Sequence, residues 1–140
     1  MEKQFVKTSN APQPAGPYSQ GIKVGNLLFV AGQGPTDPKT GQSAGSDIET
    51  QTRQVLNNVK SILEAGGFSI RDVVKVSVFL KDANDFKKMN EVYKAFFPEN
   101  PPTRTTIEAK FVAPGMLIEI DALQRDKLEA RQMRTNRFDD

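Results

Sequence analysis

Two segments in the second half of the chain carry residues that could bind and transform a small molecule. Arg104 lies in PPTRTTIEA, residues 101–109, where β-branched residues predict a strand. Its planar guanidinium can bind a carboxylate through two parallel hydrogen bonds, a geometry that lysine cannot match. Glu119 lies between two isoleucines in MLIEIDAL, residues 116–123, where a carboxyl can have a pKa suited to accepting a proton. The pair predicts a site that binds a carboxylate and transfers a proton, unless Arg104 only forms an ion pair with Glu119 or Asp121.

The residue types that are missing narrow the chemistry further. The chain contains neither cysteine nor histidine. Cys–His and Ser–His–Asp catalysis are therefore excluded, and so are the usual zinc sites. No acidic loop has the spacing of a calcium or magnesium site, so we expect no metal and no cofactor. Any reaction must use arginine, lysine, carboxylate, tyrosine, serine, threonine or backbone groups.

The length and composition are typical of one soluble globular domain. The chain has 140 residues, of which 37% are apolar and 26% charged. No apolar run approaches the roughly 20 residues of a membrane span, and the N-terminus MEKQFVKTSN lacks the apolar core of a secretory signal. A cytoplasmic location is the default expectation.

The charged residues of both signs are mixed along the chain. There are 19 basic and 17 acidic residues, which give a net charge of +2. Nucleic-acid binding requires basic residues clustered on one surface, and no such block is visible. We therefore expect no nucleic-acid partner.

The elements that must position Arg104 and Glu119 follow the order β-β-β-α-β-α-β-β. Gly25-Asn26 predicts a hairpin turn between the second and third strands. Ser46, with Glu49 three residues later, predicts the start of the first helix, and Gly66-Gly67 its end. Its apolar face is predicted to comprise Ile48, Thr52, Val55, Leu56, Val59, Ile62 and Leu63.

The second half of the chain predicts a strand, a helix and two further strands. In DVVKVSVFL, residues 72–80, Val74, Val76, Val78 and Leu80 alternate with Lys75, Ser77 and Phe79, which is typical of a strand. Asp82 can cap the second helix. The buried face of that helix is predicted to comprise Phe86, Met89, Tyr93, Phe96 and Phe97, and we interpret these aromatic residues as core.

Two helices with one apolar stripe each can cover only one face of a sheet of about six strands. The predicted fold is therefore α+β, a two-layer sandwich with both helices on one side. Phe79, Leu117 and Leu123 point to the other face, so a partner subunit is the expected cover. We expect a single domain over residues 1–124 and a charged C-terminal extension over residues 125–140, RDKLEARQMRTNRFDD.

Several motifs occur in an order that resembles a known family. They are APQPAGPYSQG, GNLLFVAGQGPTDPKTG, DVVKVSVFLKDANDF, NEVYKAFFPENPPTRTTIEA and IEIDA. The chain resembles the RidA family, also called YjgF-like, from about Val6 to Leu123. The resemblance implies a chorismate-mutase-like fold, a homotrimer with ligand clefts between subunits, and hydrolysis of 2-imino and 2-enamino acids, such as 2-iminopropanoate and 2-iminobutanoate, to 2-keto acids and ammonia without metal or cofactor.

The resemblance also implies roles for individual residues. Arg104 matches the arginine that binds the substrate carboxylate, and Glu119 matches the glutamate that positions water. The other positions implied to contact the substrate are Tyr18, Gly32, Asn90 and Thr106. Two positions differ from the family pattern: Ala31 stands where many members have serine, and Thr106 where the best-known members have cysteine.

The residues by themselves leave other interpretations open. Glu119 and Asp121 could simply lie on the solvent-exposed face of a half-buried strand. Tyr18 could pack beneath the Pro17 turn, and Asn90 could be a solvated or capping side chain. Imine hydrolysis is nevertheless feasible without histidine or cysteine, because an imine carbon is already electrophilic. The alternative to an enzyme is a trimeric binding or regulatory protein that holds a small carboxylate in the same cleft.

Overall fold

The computed structural model describes residues 2–126, which form a mixed six-stranded sheet with two α-helices on one face. This confirms the predicted α+β two-layer architecture and the order of its elements. Met1 and residues 127–140, which include most of the proposed extension, lie outside the described residues. The strands and helices are β1 Gln4–Val6, β2 Gly21–Val24, β3 Leu27–Gln33, α1 Ile48–Ala65, β4 Val73–Leu80, α2 Phe86–Phe96, β5 Thr103–Glu108 and β6 Ile118–Arg125.

The sheet order β1-β2-β3-β6-β4-β5 places β6 in the interior and β5 at an edge. Neighbouring strands are antiparallel except β4 and β5, which are parallel. A parallel pair needs a crossover connection, and α2 provides it. This crossover brings α2 against the same face of the sheet as α1, directly beside the edge strand that carries Arg104.

The predicted apolar face of α1 is confirmed. Its members are all buried between the helix and the sheet: Ile48, Thr52, Val55, Leu56, Val59, Ile62 and Leu63. The prediction that Ser46 caps this helix is wrong, because helical residues begin at Ile48 and Asp47 occupies the cap. The Asp47 carboxylate accepts a hydrogen bond from the backbone N–H of Thr50 at 2.9 Å. The helix ends before Gly67, whose φ of +85° is readily adopted by glycine.

The predicted face of α2 is correct in its middle and wrong at its start. Met89, Tyr93 and Phe97 are buried, but Phe86, the first residue of the helix, is 45% exposed. Asp82 does not cap α2. It accepts a hydrogen bond from the Asn84 backbone N–H and caps the short 3₁₀ helix that precedes α2. The extra 3₁₀ turn shifts the start of α2, so Phe86 falls at the rim of the core.

In β4 the predicted alternation holds from Val76 onward and fails before it. Val74 is 44% exposed, whereas Val73 is buried. The register between β4 and β6 shifts between Val73 and Lys75, and this irregularity turns Val73 inward in place of Val74.

The sheet face away from the helices carries apolar side chains. Phe29 and Ile107 are about half exposed, and Phe79 and Leu123 are partly buried. Leu117 does not belong to this face, because it precedes β6 and packs partly against the main core. No helix in the described part of the chain covers this face, which is consistent with a partner surface.

Within residues 2–126, neither α1 nor α2 is long and apolar enough to cross a membrane.

Candidate active site

Arg104 lies on the edge strand β5, on the side of the sheet that the helices cover. Its register partner is Val76 of β4, which is fully buried. The guanidinium carbon lies 4.7 Å from the ring centroid of Tyr93 and 5.5 Å from that of Phe86, both on α2. Burial raises the pKa of Tyr93, and the neighbouring Arg104 cation partly offsets that rise. The guanidinium is thus held against one helix rather than extended into solvent.

A cavity of about 400 Å³ opens beside this guanidinium. Apolar rings and a few polar side chains line it: Asn90, Tyr93, Lys94, Phe97, Pro101, Pro102 and Arg104. Asn90 Oδ1 and the Tyr93 hydroxyl are buried without a well-aligned hydrogen-bond partner. Because nearly all buried polar atoms in folded proteins are hydrogen-bonded, the hydrogen bonding of this region is incomplete in the isolated chain.

Arg104 has no carboxylate partner in the part of the chain that the structure describes. The ion pair found there joins Lys60 Nζ and Glu64 Oε1, 4.0 Å apart on α1. The alternative in which Arg104 pairs with Glu119 or Asp121 of the same chain is therefore wrong. A half-buried guanidinium without a counterion is a favourable place for an anion, because its charge has lost part of its solvent and gained no negatively charged partner.

Glu119 lies on β6 and faces the side of the sheet away from the helices. Its register partner is Phe79 of β4, the next position after the buried Val78. Burial raises the pKa of Glu119, and the negative charge of Asp121 on the same face raises it further. A carboxylate with a raised pKa accepts a proton more readily than an ordinary glutamate, which suits a general base.

Gly32 makes room for the Glu119 side chain. A Cβ at this position would lie 2.9 Å from both Cδ and Oε2 of Glu119. The register of β3 against β6 shifts between Val30 and Gln33, and Gly32 lies within that irregular stretch. Any larger residue must displace the carboxylate, so Gly32 helps to fix the position of Glu119.

A second cavity, of about 640 Å³, lies beside the loop between β5 and β6. It contains none of the predicted site residues, and its lining includes Lys81, Glu108, Lys110, Phe111 and Met116. Within residues 2–126, no three acidic, histidine or cysteine side chains are grouped as metal ligands would be.

A family model described as Endoribonuclease L-PSP matches residues 8–125. The chain belongs to this family, the RidA family. A RutC family protein of Pyrococcus horikoshii is 57% identical over 121 residues, which cover 86% of this chain and 96% of that protein. The 2-iminobutanoate/2-iminopropanoate deaminase of Escherichia coli K12 is 44% identical, over 84% of this chain and 94% of that protein. The crystal structure of E. coli TdcF with bound serine matches with a TM-score of 0.84 and 38% identity, covering 88% of this chain and 98% of that chain.

These comparisons confirm the resemblance to the RidA family and the chorismate-mutase-like fold. The six residues that the RidA resemblance assigns to the site fall into separate groups. Arg104 and Asn90 line the same cavity, and Thr106, two residues beyond Arg104, faces the same side of the sheet. Glu119 and Gly32 lie in contact on the opposite side. The two groups cannot contact one small substrate within a single chain.

Tyr18 is the sixth residue, and it lies in the loop between β1 and β2. Its side chain is 52% exposed, and its hydroxyl accepts a hydrogen bond from the backbone N–H of Ala15 at 3.1 Å. The tyrosine thus braces its own turn and leaves its ring at the surface.

Phe86 and Tyr93 are neighbours of Arg104, although the sequence pattern placed both in the core because their spacing fits an apolar stripe. Their separation of seven residues, two helical turns, was the available signal. Only the parallel pairing of β4 and β5 places Arg104 against that stripe.

Proposed function

We propose that this RidA-family chain hydrolyses 2-imino and 2-enamino acids, such as 2-iminopropanoate and 2-iminobutanoate, to 2-keto acids and ammonia. The observation that carries the proposal is the Arg104 guanidinium, which lies at a cavity without a carboxylate partner among the described residues. An arginine fork matches the planar carboxylate of a 2-imino acid. The 44% identity to an E. coli protein named for this reaction supports the assignment.

The complete site would be assembled between copies of the chain. Arg104 and Glu119 lie on opposite faces of the sheet, so one substrate can reach both only when a second copy supplies one of them. The apolar face that carries Phe29 and Phe79 gives that copy a surface to cover. A cyclic homotrimer satisfies both requirements, because each interface then contains the same two half-sites.

The chemistry needs only these side chains and water. Arg104 binds the carboxylate of a protonated imine. Water adds to the imine carbon while Glu119 accepts one of the water protons, which gives a neutral carbinolamine. Glu119 then returns that proton to the nitrogen, the C–N bond breaks as the hydroxyl oxygen forms the keto group, and the hydroxyl proton leaves with ammonia as ammonium. The glutamate is regenerated, and no redox step or cofactor is required.

The direct test generates the imino acid in situ from an amino acid with an oxidase or a dehydratase. Keto-acid formation should be faster with this protein than with buffer. The rate should rise with protein concentration until the supply of imino acid from the first enzyme becomes limiting. A rate equal to the spontaneous one for several imino acids would contradict the proposal.

A second candidate function is binding of a small carboxylate without turnover, for sensing or regulation. It is favoured by one observation: the Arg104 cavity is formed within one chain and does not need Glu119. Saturable binding of a keto or amino acid, without faster imine hydrolysis, would support this function. RNA cleavage, which the description of the family model suggests, has no support here, because the chain lacks histidine and a basic cluster.

A further inference from the structure

We infer that Phe86 and Tyr93 form an aromatic clamp that positions the Arg104 guanidinium for a carboxylate ligand. The inference rests on the proposed function for the nature of that ligand, and it adds two residues of α2 to the binding machinery. The clamp is defined as the side chains of Phe86 and Tyr93.

The two rings of the clamp come from positions two turns apart on α2. Phe86 and Tyr93 are seven residues apart on α2, a rise of about 10.5 Å along the helix. The Arg104 guanidinium carbon lies over both rings, 5.5 Å from the Phe86 centroid and 4.7 Å from the Tyr93 centroid. Both distances are within the range of cation–π attraction. One cation thus contacts both rings.

The clamp contacts the guanidinium through two aromatic rings and a poorly aligned hydrogen bond to the Tyr93 hydroxyl, and neither contact involves a carboxylate. An aromatic face attracts the cation through its π system, whereas the N–H donors of a guanidinium lie in its plane and point outward. A carboxylate partner would instead occupy the fork. Arg104 has no such partner in the described residues, so its fork remains available to a ligand in the adjacent cavity.

The position of Phe86 supports a functional interpretation. Phe86 is 45% exposed, so the core contacts only part of this residue. Its contact with Arg104 gives the ring a role that core packing does not. Tyr93, in contrast, is buried and braced by Phe97, with ring centroids 4.7 Å apart. Tyr93 is therefore the buried and well-packed member of the clamp, and Phe86 is its exposed member.

The clamp can be tested by binding, without any need for turnover. We would titrate the full-length protein with 2-oxobutanoate in a calorimeter and compare Phe86→Leu, Tyr93→Leu and Tyr93→Phe with the wild type. Each leucine variant should bind about three- to tenfold more weakly, because it loses a cation–π contact. Tyr93→Phe retains the ring and loses only the hydroxyl contact with Arg104, so it should bind more tightly than Tyr93→Leu. Phe96→Leu removes a ring of α2 that is not over Arg104, and it is the matched control.

Kinetics gives a second readout on the same variants. Loss of either aromatic ring, in Phe86→Leu or Tyr93→Leu, should raise KM for the imino acid more than it lowers kcat, because the clamp acts on carboxylate binding. Equal binding by Phe86→Leu and the wild type, in protein that melts normally, would overturn the clamp. The exposed position of Phe86 keeps this test decisive if Tyr93→Leu unfolds.

The two proposals fail in different ways. Arg104-dependent binding of 2-oxobutanoate that weakens in the leucine variants, with no acceleration of imine hydrolysis, would refute the deaminase and retain the clamp. Imine hydrolysis that depends on Arg104 but is unchanged in both leucine variants would retain the deaminase and refute the clamp. Absence of any Arg104-dependent binding would refute the clamp outright.

Discussion

Arg104 and Glu119 lie on opposite faces of the same sheet, with β4 between their strands. Arg104 is aligned with the buried Val76, whereas Glu119 is aligned with Phe79 on the face away from the helices. This relationship excludes an ion pair between them in one chain. It also means that a reaction using both requires two copies of the protein.

Replacement of Arg104 by alanine should lower kcat/KM for an imino acid by roughly two to four decades. Two charge-assisted hydrogen bonds to the substrate carboxylate are lost, each of about 1.5–3 kcal/mol, and about 1.4 kcal/mol corresponds to tenfold in rate. Arg104→Lys should also be poor, because a point charge cannot fix the plane of the carboxylate. Steady-state rates and melting temperature should be measured on the same preparation.

The matched control for Arg104→Ala is Arg53→Ala, which removes an exposed arginine from α1. It should retain wild-type kinetics. An Arg104→Ala protein with near-normal turnover and a reduced melting temperature would show that Arg104 is structural.

Mixed oligomers test whether the site is shared between subunits. Arg104→Ala and Glu119→Gln should each be nearly inactive. When equal amounts are unfolded together and reassembled, about one site in four would combine an intact Arg104 with an intact Glu119 from a neighbouring copy. Activity should therefore recover to about a quarter of the wild-type value. A mixture as inactive as its parents would contradict a site assembled from two chains.

Gly32→Ala should impair catalysis through Glu119. The added Cβ would lie 2.9 Å from the Glu119 carboxyl group, so the carboxylate must move. A displacement of about 1 Å in a catalytic group can cost on the order of a hundredfold in rate. We expect kcat to fall by one to two decades by that estimate.

Gly34→Ala is the control for this substitution, because its new Cβ would meet only the flexible end of Met116, at 3.0 Å. A Gly32→Ala variant as active as Gly34→Ala would mean that the position of Glu119 does not matter.

The pH dependence should report Glu119 and its neighbour Asp121. Burial and the charge of Asp121 raise the pKa of Glu119 above the ordinary value of a glutamate. Glu119 must be ionised to accept a proton from water, so kcat/KM should fall as the pH decreases through that raised pKa. Asp121→Asn removes one cause of the rise and should move this acidic limb to lower pH. An acidic limb that does not move in the variant would exclude Glu119 as the group that titrates.

Much of this protein could be predicted from its sequence. The helical period of α1 identified its buried face, because an amphipathic helix in a two-layer fold has only one face to bury. The order of strands and helices predicted the architecture, and the lack of histidine and cysteine excluded catalysis by Cys–His or Ser–His–Asp groups. The motifs indicated the RidA family and named the residues to look for.

The tertiary structure decided how those residues are related in space. Alternation along a strand tells which residues share a face of that strand, but it does not relate β5 to β6, which never pair directly. The register through β4 was needed to place Arg104 and Glu119 on opposite faces. The approach of Gly32 to Glu119, and the contact of Phe86 with Arg104, likewise join residues that are far apart in sequence. Such contacts depend on packing among several elements, which local sequence patterns do not encode.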